Sequence, residues 1–523
     1  MCGIWALFGQ TYSSDKAADY LSTLKNRGPE GSKIITGDRY QLGFTRLALN
    51  GIENGMQPMS HMHMDWICNG EIYNWKDLAR KTGYINVGGS DCEMLGDLYV
   101  KTNDPQTFFN SLHGVFACVL IDKSNNEAII GRDPFGVRPM FYSISYHNIL
   151  VASEMKALPS KNIMVFPPGY FAKINLSTLQ IVLVRYHEIV KYPLSNLYLT
   201  VRNTFMWAIQ RRMMTERPVA ALLSGGLDSS LVAALVQREL TKLGKPPLQT
   251  FSIGFEGSED LKYARMVADH INSKHTEIIM TPEQFFDAIP QVIYDIESYD
   301  ITTVRASVGN WLVAREIARQ TDCKVVFNGD GADELFGGYL YLHKAPTNVD
   351  FENECNRLLK NIHFFDVLRS DRTISSHGLE PRTPFLDKEF VNIIKSIPIS
   401  LRRPTSSRIE KWVLRKSFDI GILPEKVLWR KKEAFSDGVS GKERSWFEEC
   451  QSRSLLKVPE WNEQKHMFSY LEPYTAESFY YRKLFSEHYA SDKVIPYFWM
   501  PKWSPETTDP SARTLEPAAV NAS

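Results

Sequence analysis

A cysteine directly after the initiator methionine is a potential nucleophile. Removal of Met1, the usual fate of a methionine before a small residue, would expose Cys2 with its own α-amine, whose pKa of about 7.7 to 8.0 lets it act as base for the thiol. Gly3 allows the backbone to approach a substrate closely. On the Met-Cys pair alone a buried structural cysteine is the commoner reading, so support must come from the same region. Arg27-Gly28-Pro29-Glu30, Arg46-Leu47-Ala48, Asn69-Gly70-Glu71 and Gly131-Arg132-Asp133 each set charged or amide groups beside a turn-forming residue. An arginine fork there suits a carboxylate, and an acidic side chain suits an ammonium.

Two glycine-rich loops further along suggest a different chemistry. Residues 224–230, SGGLDSS, lie between a predicted apolar strand and a helix, where close backbone approach and unpaired helix N–H groups suit a phosphate. The lysine of a Walker A loop is absent. Residues 328–334, NGDGADE, follow another apolar strand and carry Asp330, Asp333 and Glu334 close together. Such carboxylates repel one another unless a cation sits nearby, which points to magnesium or a cationic substrate group. A basic run, Arg430-Lys431-Lys432, adds a possible phosphate partner.

The elements that must hold these residues change character along the chain. Up to about residue 187, short strands dominate: YQLGFTRLAL, DWICNGEIYN with Asn69-Gly70 as a turn signal, and GVFACVLIDKSNNEAIIGRD as two strands around a polar loop. This predicts an antiparallel, sheet-rich first domain over 1–187. From 188 to 523, strand-like PVAALL, LQTFSIGF and KHTEIIM alternate with helical segments. That alternation predicts an α/β doubly wound parallel sheet with its ligand crevice at the carboxyl ends of the strands. From about 346 the pattern is mostly helical, and from about 504 it is a polar tail.

Composition limits the partners. At 523 residues the chain exceeds a single core, and Lys plus Arg equals Asp plus Glu at 60 each, which removes the electrostatic case for nucleic acid or an anionic membrane. The seven cysteines are scattered and form no CxxC pair, which fits a reduced, cytoplasmic setting. No segment has the length of a membrane span or the layout of a signal peptide. His61-Met62-His63-Met64 lacks further ligands at a recognisable spacing and reads as a surface loop or strand edge.

Cys2 and the loops of the first region together resemble the glutamine amidotransferase domain with an N-terminal cysteine nucleophile. That resemblance implies an α+β four-layer sandwich, with two antiparallel sheets between helices. It assigns Arg46, Leu47, Ala48, Leu49, Asn50, Asn69, Gly70, Glu71 and Asp91 to glutamine binding, Arg46 facing the α-carboxylate and Asp91 the α-ammonium. Asn69 and Gly70 take the oxyanion-hole role, and Cys2 would form a γ-glutamyl thioester and release ammonia.

The SGGLDSS loop resembles that of the N-type ATP pyrophosphatases, which cleave ATP between its α and β phosphates. By this resemblance ATP would contact Leu222, Ser224, Gly225, Gly226, Asp228, Ser229, Ile253, Asn328 and Gly329, with magnesium on Asp228 and Asp333. Residues 301–307, 377–387 and 430–438, with MPKW and DPSARTL near the end, resemble the glutamine-hydrolysing asparagine synthetases, and the likeness covers nearly the whole chain. It implies Thr302, Thr303, Arg305, Asp333 and Glu334 as contacts to aspartate or its intermediate. Lys432 would lie on phosphate, and Asp330, Arg305 and Lys432 would act in catalysis. It also implies glutamine, aspartate and ATP as substrates, a sheltered path for ammonia, and a homodimer. The family's usual glutamate is Asp330 here, one methylene shorter. Two other readings are a related synthetase acting on another carboxylate and a regulatory protein without turnover.

Overall fold

The computed structural model describes residues 1–85, 88–432, 438–440, 444–505 and 507–511. The first region forms β1 (Gly3–Gly9), β2 (Ser32–Gly37), β3 (Tyr40–Thr45), β4 (Met59–His61), β5 (Met64–Ile72), β6 (Gly114–Asp122), β7 (Glu127–Arg132), β8 (Phe141–Ile144), β9 (Asn148–Ala152), β10 (Met164–Val165), β11 (Tyr170–Asn175) and β12 (Ile181–Arg185). They build two six-stranded sheets, ordered β10-β8-β9-β1-β3-β2 and β12-β11-β7-β6-β5-β4. Every pairing in both is antiparallel.

Successive side chains of a strand point to opposite faces, and this alternation produces the layers. Ile4, Ala6, Phe8, Leu42, Ile67, Ala117, Val119 and Ile130 fill the space between the two sheets. Trp5 and Leu7 point the other way, onto Ala17 and Leu21 of α1 (Ser14–Ser22). Trp66, Cys68, Cys118 and Leu120 back onto Leu95, Leu98, Phe108 and Phe109. The result is the expected sandwich.

Asn69-Gly70 departs from expectation, because it lies inside β5 and forms no turn. Gly70 pairs with Phe116 of β6, and a Cβ on it would sit 2.3 Å from Val115 O. The glycine serves strand approach, not reversal. Gly131 and Arg132 likewise belong to β7, whereas the polar loop between β6 and β7 is a turn as read, with Asp122 Oδ1 accepting from the Ser124 and Asn125 N–H groups.

In the second region β13 (Val219–Leu222), β14 (Gln249–Gly254), β15 (Lys274–Ile279), β16 (Val325–Phe327) and β17 (Glu380–Arg382) form a wholly parallel sheet ordered β15-β14-β13-β16-β17. Ala220, Phe251 and Val326 pack on one face against Val304, Val308 and Leu312 of α4 (Ile301–Gln320). Val219, Ala221, Val325 and Phe327 pack on the other against α2 (Leu197–Arg211) and α3 (Leu227–Lys242). Strand β17 escaped the sequence reading, since Glu380-Pro381-Arg382 has no apolar signal. Its proline is tolerated because the strand lies at the sheet edge. From β13 the chain runs outward to β14 and β15, then returns to β16 on the opposite side, so the order reverses between β13 and β16. Ligand crevices of open α/β sheets form at such a reversal.

The two regions share apolar packing: the cluster holding Trp5, Leu7 and Leu21 continues into Phe285, Ile289, Ile296 and Val304. Among the described residues no helix is long and apolar enough to cross a membrane.

Candidate active sites

Cys2 enters β1 through Gly3, where a Cβ would lie 2.5 Å from Thr45 Oγ1 and 2.8 Å from Leu24 Cβ, so only glycine fits. The Cys2 thiol donates to Leu47 O at 3.7 Å, and Arg27 Nε donates to Cys2 O at 3.0 Å. Burial pushes the thiol up to about 11, against the pull of the nearby chain amine and the Leu47 contact. With Met1 in place, that amine donates to Leu379 O at 3.3 Å and burial lowers it to about 5.

The predicted glutamine-binding residues gather around this end of β1. Arg46 donates to Ile52 O at 2.8 Å and Gly51 O at 2.5 Å, which ties its fork to the following loop. Leu47 and Leu49 are buried in the apolar cluster that also holds Val201 and Phe205, and the Leu47 main-chain oxygen faces the Cys2 thiol. Ala48 N donates to Glu30 Oε2 at 2.6 Å, and Asn50 Nδ2 to Glu71 Oε2 at 2.9 Å. Asp91 accepts from Ile72 N at 2.6 Å. Burial raises its carboxyl to about 6, with the Ile72 bond opposing. Burial, then Glu380 and Asp91, raise Glu71 well above its ordinary range, while Arg382 at 3.3 Å restrains it. The Asn69 side chain presents a buried Nδ2 with no hydrogen-bond partner among the described residues. A buried unpaired donor is costly, and it is the group an oxyanion hole requires.

The second site lies at the reversal between β13 and β16. A cavity of about 230 Å³ is lined there by Leu222, Ser224, Gly226, Asp228, Ser229, Ile253, Thr302, Thr303, Asn328, Gly329, Asp330, Asp333, Glu334 and Lys432. Gly225 does not line it. At φ +73°, with a Cβ position 2.5 Å from Ala264 N, it shapes the loop from behind. Ser224 Oγ and Ser229 Oγ lie 2.9 Å apart, closing the loop on itself. Helix α3 starts at Leu227 behind Gly226, an N-cap with no side chain to bond its first N–H groups, which therefore suit an anion. Gly329 brings the two loops together, since its Cβ position is 2.8 Å from Asp228 Cβ and Ser229 N.

Charge is concentrated on the facing carboxylates. Lys411 Nζ lies 2.5 Å from Asp228 Oδ2 and 2.5 Å from Asp333 Oδ1, the latter an ionic contact without hydrogen-bond alignment. Lys432 Nζ reaches Asp333 Oδ2 at 2.7 Å. Burial would raise Asp333, but the two lysines hold it well below the carboxylate range. Burial would lower Lys432, but Asp333 and Asp228 raise it. Asp330 Oδ1 pairs with Arg369 at 2.8 Å, and burial outweighs that arginine to raise its carboxyl. Glu334 accepts from the Tyr339 hydroxyl, and burial, then Asp366 and Asp333, raise it well above its range. Asp228 Oδ1, Asp330 Oδ2 and Thr302 Oγ1 are buried without hydrogen-bond partners among the described residues. The Asp228 Oδ1 left without a partner among the described residues, a hard oxygen close to the Asp333 carboxylate, fits a magnesium ion.

One expected contact lies elsewhere. Arg305 does not line the cavity: it is 3% exposed, and its guanidinium is taken up by Glu477 and Asp509, with Nε to Glu477 Oε1 at 2.7 Å and both terminal nitrogens on Asp509 at 2.8 Å. These contacts brace the C-terminal segment. Thr303 lines the cavity as expected, with its hydroxyl donating to Asp300 Oδ2 at 2.8 Å as part of the α4 cap. Residues 433–437 of the basic-run motif, and the 512–515 part of DPSARTL, lie outside the described residues. Lys411, Arg369 and Asp366 line the cavity but belong to no loop with glycines or repeated charges, so no local pattern marks them.

The fold and the two sites define a two-part amidotransferase, one part generating ammonia and the other activating its acceptor. The family description "Glutamine amidotransferase domain" matches residues 1–206, and "Asparagine synthase" matches 200–357 and 346–510. "Asparagine synthetase [glutamine-hydrolyzing]" of Gallus gallus is 41% identical over 99% of each chain. Those of Rattus norvegicus and Homo sapiens are 41% identical over 98% of each. The chain belongs to the glutamine-hydrolysing asparagine synthetase family.

Proposed function

We propose that this chain makes asparagine from aspartate, drawing nitrogen from glutamine at a unit spanning 1–187 and splitting ATP to AMP and pyrophosphate at a unit spanning 188–523. The observation that carries the reading is the cavity at the β13/β16 reversal, which collects Ser224, Asp228 and Ser229, Thr302, Asp330, Asp333 and Glu334, and Lys432 from separate parts of the chain.

In the first unit the Cys2 thiol, freed of its proton by its own α-amine, attacks the side-chain carbonyl carbon of glutamine. The oxyanion meets Asn69 Nδ2 and the Gly70 main chain, and the burial of that Asn69 amide without a partner among the described residues supports this role. Ammonia leaves, water cleaves the thioester to glutamate, and the thiol returns. Asp91 and Arg46 hold the amino-acid end.

In the second unit an oxygen of aspartate's β-carboxylate attacks the α-phosphorus of ATP, and pyrophosphate departs with the bonding electron pair. Lys432 and the first N–H groups of α3 receive the charge on the phosphates. Bound on Asp228 and Asp333, magnesium would supply further neutralisation of the pyrophosphate. Ammonia, sheltered from bulk water on its way between the units, then attacks the acyl carbon. AMP leaves, and Glu334 or Asp330 accepts a proton from nitrogen. Its Oδ2, without a hydrogen-bond partner among the described residues, supports Asp330 in this role despite its shorter reach.

Incubation with glutamine, aspartate and MgATP tests the proposal: asparagine, glutamate, AMP and pyrophosphate are expected together, and formation of ADP or absence of asparagine would sink it. Cys2→Ala is expected to abolish glutamine-dependent synthesis and spare ammonium-dependent synthesis. A cytoplasmic homodimer completes the reading, supported by the scattered cysteines and the family likeness, and sedimentation of the purified chain tests the dimer.

A further inference from the structure

Lys411 lies in no motif, yet its ammonium stands between the two loops of the ATP site. Its Nζ is 2.5 Å from Asp228 on the first loop and 2.5 Å from Asp333 on the second, and the side chain is 1% exposed. Two further features are arranged around it. The backbone of Lys411 takes φ +59° and ψ 25°, a left-handed conformation that few non-glycine residues adopt, at the start of the helix Trp412–Ser417. Gly338 stands beside it, where a Cβ would lie 2.3 Å from Lys411 Cε and 2.1 Å from Asp333 Oδ1, so no larger residue leaves room for the pair.

Neutralising Asp333 does not by itself explain Lys411, because Lys432 already reaches the other oxygen of that carboxylate at 2.7 Å. What Lys411 adds is a bridge. One positive charge touches both aspartates, while Asp228 Oδ1 stays buried without a hydrogen-bond partner among the described residues.

We propose that Lys411 is a stand-in cation: its ammonium holds Asp228 and Asp333 at the spacing a shared divalent ion needs and gives way when magnesium and nucleotide enter together. This makes it a positioning residue, and the inference rests on the reading of Asp228 and Asp333 as magnesium ligands. Two carboxylates this close repel without a cation between them, and holding them ready removes that repulsion before the nucleotide arrives. A lysine suits the task better than an arginine. Its charge is compact and strongly hydrated and sits on a flexible stem, so it can withdraw without breaking a forked pair. The consequence is that a divalent ion alone competes with a built-in charge and binds weakly, whereas an ion carrying phosphates brings negative charge with it.

Manganese titrated into the full chain, followed by the electron paramagnetic resonance signal of the free ion, tests this. Without nucleotide, Lys411→Met is expected to bind manganese at least about tenfold more tightly than the wild type, and Lys411→Met combined with Asp228→Asn to lose the gain. Circular dichroism checks folding, and Lys411→Gln carries the same comparison if the methionine variant does not fold. Equal manganese affinity in wild type and the Lys411 variants would overturn the stand-in role. The magnesium reading has its own arm: with α,β-methylene ATP present, Asp228→Asn and Asp333→Asn are each expected to weaken manganese binding. If neither does, that reading falls and the proposal falls with it. If both do while Lys411 makes no difference, only the stand-in role is lost.

Discussion

At the scale of single residues, the proposed glutaminase site is marked by one buried donor, Asn69 Nδ2. It has no hydrogen-bond partner among the described residues, a cost that folding alone gives no reason to bear. Asn69→Ala should therefore lower kcat for glutamine hydrolysis by roughly 10² to 10³ with little change in KM, the pattern of a donor engaged mainly in the transition state. Steady-state glutamate release checks it, and an equal rise in KM with kcat intact would make Asn69 a ground-state contact. Arg305 teaches the opposite lesson. An arginine in a motif shared with the family suggested a substrate contact, but Glu477 and Asp509 consume its fork. Arg305→Ala is expected to cost on the order of 3 to 5 kcal/mol of stability by stranding buried carboxylates, read from urea unfolding. An aspartate KM that rises in protein still folded would restore the substrate role.

At the scale of elements, the second site depends on two loops meeting at the carboxyl ends of β13 and β16. Gly329 permits that meeting, since a Cβ would lie 2.8 Å from Asp228 Cβ and Ser229 N. Gly329→Ala should push the loops apart and lower aspartate-dependent pyrophosphate formation by about 10² or more, while glutamate release continues. Loss of both activities together would show a general folding defect instead. The sheet itself was readable from alternating strands and helices, because buried parallel strands are continuous apolar runs. Its last strand was not. Glu380-Pro381-Arg382 is polar because its side chains face the first region, where Arg382 Nε bonds Glu380 Oε1 at 3.0 Å and the guanidinium reaches Glu71 at 3.3 Å.

At the scale of the whole molecule, buried ion pairs join the two units. Arg27 holds Glu154 and Asp371, each at 2.8 Å, and so links the strand-rich region to α5 (Asp366–Ser375) of the second region. The same helix places Arg369 on Asp330 and Ser370 on Asn328. Burial alone would raise Glu154, but Lys156, Arg27 and Arg372 outweigh it and lower its carboxyl to about 2. A carboxyl depressed in the folded state stabilises above its unfolded value, near 4.3, and the contribution is lost as pH falls through the folded value. The wild type should exceed Glu154→Gln by about 3 kcal/mol at pH 7, and the gap should shrink between pH 4 and pH 2. Urea midpoints at several pH values measure it. A gap that does not change with pH would mean that Glu154 acts through packing, not charge.

The sequence alone determined which local chemistries were present. A thiol at the chain start, a glycine-rich turn after an apolar strand and a cluster of carboxylates are each contained in a few consecutive residues, and strand and helix periods are equally local. Only the tertiary structure decided which groups share a site. Lys411, Arg369 and Asp366 reach the cavity at the β13/β16 reversal from segments that carry no local signal, and Arg305 lies outside its lining because its fork meets carboxylates 172 and 204 residues away. Asn69-Gly70 reads as a turn in sequence and stands in a strand, because the approach of β6 is a property of the neighbour and not of the dipeptide. The physical reason is the same throughout: propensity and spacing act over one or two turns of chain, whereas burial and ion pairing are settled by whatever distant segment packs alongside.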